Sequence, residues 1–190
     1  MNSTLSQEQV DAFVAACHGS FETVQATLAD HPELLNTRSS LDESPLGAAA
    51  HVGNQEIAAY LLGQGAEMEF CASVMLGDIE TLSEFLEEDP DMARSTGAHG
   101  IPALFHAVAG GSVEAAELLL ENGADLVTVT GSESAALNMA AARGHVAMAR
   151  WLIDRGAPVD VADFQGKTPT ERAEEGAFEE IAGMIRETQR

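Results

Sequence analysis

Basic side chains are nearly absent from this chain. Against 31 acidic residues stand eight arginines and one lysine, Lys167, leaving a net charge of −22. Contacts to phosphate backbones and anionic membrane surfaces are made by Lys and Arg, so neither nucleic acid nor a membrane is expected as a direct ligand. Long apolar runs are missing too: no stretch approaches the ~20 residues needed to span a bilayer. The opening residues, Met1 to Gln7, show neither a basic leader nor an apolar signal core. The two cysteines, Cys17 and Cys71, each fall within a predicted helix, where a buried thiol is expected rather than a disulfide. A reduced, cytoplasmic setting follows as the expectation.

What the chain does have is a recurrence. A glycine or small residue returns about every 33 positions, at Gly19, Gly53, Gly77, Gly111, Gly144 and Ala177. Four residues before it stands Ala or Ser (Ala15, Ala49, Ser73, Ala107, Ala140, Ala173), and eight and nine after it mostly large apolar residues such as Leu61-Leu62 and Leu119-Leu120. A period of this length marks a stacked repeat. No single unit buries its own apolar face, so stability is shared between neighbours. The small residues predict close helix approach, and the recurring glycine suits the left-handed turn that closes a helix.

The phrases Leu61-Leu62-Gly63-Gln64-Gly65-Ala66, Leu119-Leu120-Glu121-Asn122-Gly123-Ala124 and Leu152-Ile153-Asp154-Arg155-Gly156-Ala157, with Thr168-Pro169 and Ser44-Pro45-Leu46, resemble the ankyrin-repeat family. The middle section also resembles small stand-alone bacterial ankyrin-repeat proteins. The resemblance implies an all-α solenoid of about six helix-turn-helix repeats, each opened by a short β-turn finger. The expected organisation is one domain over residues 1–190, with repeats at approximately 6–39, 40–66, 67–96, 97–129, 130–162 and 163–187. Ser6 with Gln9 predicts a capped first helix, and Glu174 and Arg186 give the last repeat a polar outer face.

Repeat length singles out one place. The interval from Gly53 to Gly77 is 24 residues instead of 33 or 34, and the loss falls where the third finger belongs. The resemblance implies a concave surface lined by the finger tips and the two residues before each repeat glycine. Carried over, this gives His18, His51, Met75, Leu76, His99, Ile101, Arg143, Phe164, Gln165 and Lys167 as candidate partner contacts. Apolar anchors would come from Met75, Leu76 and Phe164, and polar specificity from His51, His99 and Arg143. Met75 and Leu76 have a second reading, as a plug filling the space the finger leaves.

The residues give little support to chemistry. The six histidines show no short ligand spacing and neither cysteine has a zinc-type partner, so no metal or other cofactor is expected. Only His18, His51 and His99 can converge on one face. His106 is expected to bond the backbone of an adjacent finger, and His145 to serve the repeat structurally. Cys17 and His18 are adjacent, which splays them about 100° apart on a helix, and no phosphate-cradling glycine loop follows a strand. The chain reads as a non-enzyme, monomeric on its own, that binds another protein through its concave face.

The acidity allows three readings: solubility, adaptation to a high-salt cytoplasm, or attraction of a basic partner. For the last, Glu84, Glu87, Glu88, Asp89 and Asp91 form the densest run. It supports the alternative of an acidic inhibitor or antitoxin-like protein masking a basic surface. A sensor of a small ligand or metal at the gap is a third possibility.

Overall fold

A computed structural model describes residues 5–131 and 135–189. Among these residues there are thirteen α-helices. Twelve form six successive pairs: α1 (Gln7–Ala16) with α2 (Phe21–Asp30), α3 (Pro45–His51) with α4 (Gln55–Gly63), and α5 (Phe70–Leu76) with α6 (Ile79–Glu88). Then follow α7 (Ala103–Gly110) with α8 (Val113–Glu121), α10 (Ala136–Arg143) with α11 (Val146–Asp154), and α12 (Pro169–Glu175) with α13 (Glu179–Thr188); α9 (Val127–Thr130) is a single turn. No strand occurs among the described residues, and one isolated bridge, Thr96 with Pro102, closes the fourth finger. This is the all-α solenoid the sequence predicts. Part of the fifth finger, 132–134, lies outside the described residues.

Local sequence sets the boundaries. Ser6 with Gln9 and Thr168 with Glu171 form capping boxes, while Asn54, Asp78 and Ser112 cap the second helices of their pairs. Gly53, Gly77, Gly111 and Gly144 are left-handed as expected, and Ala177 adopts the same conformation at φ 57° despite its Cβ. Gly19 is not among the left-handed positions.

First helices of neighbouring pairs stack through small residues: Ala48, Ala49, Ala50, Ala140 and Ala141 are all fully buried. The buried apolar residues form two clusters that meet on α5. Ala72 and Met75 belong to the amino-terminal cluster, with Phe13, Leu46 and Ile57. Phe70 and Val74 belong to the carboxy-terminal one, with Leu104, Leu119 and Leu152. The i, i+3 and i, i+4 spacings put each set on its own face of one helix.

The third finger is missing. Six residues, 64–69, join α4 to α5, whereas fourteen join α2 to α3, α6 to α7 and α11 to α12. In its absence the second and fourth repeats touch each other past the third. The Gln55 side-chain amide donates to the Gly110 carbonyl at 3.0 Å, and Gly53 packs on the Ala109 carbonyl. Gly110 in turn lies directly on the Met75 carbonyl, so that a Cβ there would overlap backbone. Gly110→Ala is therefore expected to cost about 1–3 kcal/mol, although alanine favours helix elsewhere. Chemical denaturation of the two proteins checks this, and an unchanged midpoint would contradict the close approach.

The shortened repeat also decides the role of Met75. Expected as an exposed anchor, Met75 is wholly buried. The ends of α3 and α7 meet beside the far end of α5, where Met75 packs inside the fold as its second reading had it, but it does not fill the space at finger level, which lies at the start of α5. Leu76 is half-buried against the same cluster. Met75 is thus withdrawn as a partner contact.

Candidate functional site

At finger level the same gap remains open. A cleft of about 610 Å3 separates the second finger from the fourth, with the start of α5 (Glu69 to Cys71) at its base. Arg38 spans part of its wall, donating to the Asp42 carbonyl at 2.7 Å and to Glu69 Oε1 at 3.3 Å. Behind it Gly97 permits a tight contact, since a Cβ there would lie 3.0 Å from Cys71 Sγ and 2.9 Å from His106 Cε1. Burial pushes the Cys71 thiol up to about 12 and holds His106 down at about 4, against the opposing pull of its bond to the Pro102 carbonyl. His106 thus bonds the Pro102 carbonyl at the start of its own helix, 3.1 Å away, and not the backbone of an adjacent finger as expected.

The second finger delivers a residue the sequence reading missed. Ser39 Oγ accepts from the Glu43 backbone N–H at 3.2 Å, the Ser39 N–H donates to the Glu43 carbonyl, and Asp11 on α1 accepts from the Ser40 N–H at 2.7 Å. So held, the Glu43 carboxylate is buried, with only 4% of its surface exposed. Three histidines from three repeats surround it. His51 Nδ1 lies 2.7 Å from Oε1, while His18 Nε2 and His99 Nε2 each lie 3.5 Å from Oε2. The His51 ring packs edge-on against both others, at centroid distances of 4.6 Å to His18 and 5.3 Å to His99. Burial lowers the basicity of His51, and the Glu43 carboxylate opposes that effect without overcoming it.

Sequence reasoning placed His18, His51 and His99 on one face, but spacing along the chain could not place Glu43 with them. Its only local signal is its position just before the Ser44-Pro45 helix start. His99 reaches the cluster because the fourth finger crosses the space left by the third. Its backbone is left-handed at φ 58°, followed by Gly100 at φ 72°.

The other candidate contacts divide. Phe164 stands 94% exposed at the tip of the sixth finger. That finger is tightly bonded: Asp163 accepts from the Gln165 and Lys167 N–H groups and from Arg172 Nε at 2.6 Å, and Arg172 also donates to Gln165 Oε1 at 2.8 Å. Lys167 is occupied in an ion pair with Glu175, and Ile101 is half-buried. Leu41, not anticipated, is 70% exposed at the tip of the second finger. Arg143, expected to face a partner, instead turns back on the fold. Its guanidinium donates to the carbonyls of Gly53, at 2.9 Å, and Val52, the free carbonyl end of α3. A cation there satisfies orphan groups and the helix dipole together.

Of the acidic run, Glu84, Glu87 and Glu88 are exposed and their side chains make no hydrogen bond or ion pair among the described residues, whereas Asp89 caps the Asp91 N–H and Asp91 pairs with Arg94. His145 bonds the Ala109 carbonyl at 3.1 Å, tying one repeat to the next.

Stacked helix pairs with projecting fingers and an apolar interior shared between neighbouring repeats define a helical repeat protein. The family model for ankyrin repeats (three copies) matches residues 12–130 and 68–163, and the chain belongs to the ankyrin-repeat family. Human ankyrin repeat and KH domain-containing protein 1 is 40% identical over 72 residues, 37% of this chain; the chain spans 3% of that protein's length. Mouse protein phosphatase 1 regulatory subunit 27 is 29% identical over 102 residues, 54% of this chain and 66% of that protein. Rat cyclin-dependent kinase 4 inhibitor B is 31% identical over 132 residues, 66% of this chain and 95% of that protein. Ankyrin repeats are in general protein–protein interaction modules. No helix among the described residues is long and apolar enough to cross a membrane.

Proposed function

We propose that this chain is a non-catalytic module that binds a partner protein along its finger tips and concave face. The observation that carries this reading is the exposure of Leu41 and Phe164, two large apolar side chains held at finger tips. Phe164 in particular sits on a finger fixed by the Asp163 and Arg172 bonds, so little ordering remains to oppose binding. An aromatic residue in such a position is a typical energetic anchor. Names of two relatives, a phosphatase regulatory subunit and a kinase inhibitor, describe action upon another protein. The non-catalytic part of the reading is supported by the thiols: Cys17, like Cys71, is pushed up to about 12 by burial, which leaves no thiolate nucleophile near neutrality.

A second reading, an acidic inhibitor that masks a basic surface, is favoured by the unpartnered Glu84, Glu87 and Glu88. Salt separates the two, since exposed charge attraction is screened and apolar contact is not. With a partner captured from lysate on the wild-type protein, Leu41→Asp with Phe164→Asp is expected to weaken binding about 30-fold or more, a loss of about 2 kcal/mol, equally at low and high salt. Unaltered affinity of this folded double variant would sink the first reading. Binding that disappears at high salt and on neutralising Glu84, Glu87 and Glu88 would install the second.

A further inference from the structure

The cluster around Glu43 is the one group of three or more metal-ligand side chains found within reach of one another among the described residues. Its four ligand atoms, one each from His18, Glu43, His51 and His99, all lie within 4.8 Å of one another.

Three features go beyond what a hydrogen-bonded network needs. Glu43 is a buried carboxylate, and its ionic partners among the described residues are these histidines alone. Arg38, on the same finger, is engaged with Asp42 and Glu69 instead. A buried anion without a permanent cation is costly. His18 is the second feature. Its Nδ1 lies 3.1 Å from the Ala15 carbonyl, which can only accept, so the ring proton of the neutral imidazole sits on that side. The Nε2 lone pair then faces a Glu43 oxygen that is also only an acceptor, so a proton or a metal ion has to lie between them. Anchoring one ring N–H on a carbonyl is also how metal-ligating histidines are oriented. Third, His99 takes a left-handed backbone, disfavoured for a residue with a Cβ, and in that conformation its Nε2 faces the same Glu43 oxygen.

We propose that His18, Glu43, His51 and His99 bind one divalent transition-metal ion of the zinc type, which fastens the first, second and fourth repeats together across the missing finger. Three imidazoles and a carboxylate suit zinc, whereas calcium and magnesium take oxygen ligands. Bonds of about 2.0–2.2 Å to a tetrahedral ion put ligand atoms about 3.3–3.6 Å apart. With Glu43 Oε2 as the ligand oxygen, the 3.5 Å separations to His18 Nε2 and His99 Nε2 already match, and the remaining pairs, all within 4.8 Å, draw in around the ion. His51 Nδ1 lies 2.7 Å from the other carboxylate oxygen, Oε1, and exchanges that contact for the metal. All four positions are filled by the protein, the arrangement of a structural centre rather than a catalytic one with an open position.

The test is a titration of chelator-treated, full-length protein with Zn2+ and with Co2+, read by calorimetry and visible absorption. One equivalent is expected to bind, giving the ligand-field bands of a tetrahedral cobalt centre and a zinc-dependent rise in thermal midpoint. His18→Ala and His99→Ala, both at partly exposed rings, are each expected to weaken zinc binding at least about 100-fold. His31→Ala, outside the cluster, is expected to leave it unchanged. Lack of saturable binding by the wild type overturns the proposal, as does affinity retained by both cluster variants, which would put the ion on surface carboxylates. Should the variants fail to fold, zinc X-ray absorption of the wild type decides: imidazole nitrogens in the coordination shell uphold the site, and an oxygen-only shell overturns it.

Discussion

Met75→Ala is expected to lower the unfolding free energy by about 2–5 kcal/mol, the range for truncating a fully buried large side chain. That is a large share of the 5–15 kcal/mol typical of a folded domain. Leu76→Ala, half-buried beside it, is expected to cost far less. Met75→Glu goes further, because it places a carboxylate with no partner among Phe13, Leu46 and Ile57. The loss is also expected to be local. Met75 belongs to the amino-terminal cluster, and repeat arrays lose their units in segments once one interface weakens. Trp151, the chain's single tryptophan, lies in the other cluster. In urea, far-UV dichroism of Met75→Ala is expected to show two transitions, with Trp151 fluorescence following only the later one. Coincident dichroism and fluorescence curves, shifted together, would show that the two clusters unfold as one.

Acid is expected to destabilise the fold well before carboxylates titrate. His106 is 1% exposed and held at about 4 from an ordinary 6.5, so it stays neutral in the folded state while the unfolded chain takes up a proton. Its contribution is complete above pH 6.5 and is lost as the pH falls towards 4, up to about 3 kcal/mol. His51 and His145, also lowered by burial, act in the same direction. Urea midpoints of wild type and His106→Gln between pH 7 and 5, with chelator present, check this. The variant is expected to be less stable at pH 7 but to decline less steeply. Parallel curves would mean that His106 carries no such burden.

The helix pairs were legible because each repeat writes its own small-residue and leucine positions, and the 24-residue interval announced the missing finger. What that deletion does to its surroundings was not legible. Periodicity describes a unit and its immediate neighbours, yet the contacts that matter here join the second repeat to the fourth and fifth. Met75 occupies a position that faces outward in a regular stack and is buried because the adjoining helix ends close over it. Arg143 reads as a concave-face cation until α3 is brought within its reach. The three histidines could be assigned to one face, but Glu43 had no repeat position to mark it, and without it the cluster has no centre.

The bond from Arg143 to Gly53 spans 90 residues. A chain that leaves the ribosome at about 5–20 residues per second exposes the carbonyl end of α3 for roughly 5–20 s before its arginine emerges. The second repeat must therefore wait, its last turn bonded to water, until the fifth has been made. Although built from modular units, this protein closes that clasp only after three further repeats have followed the second.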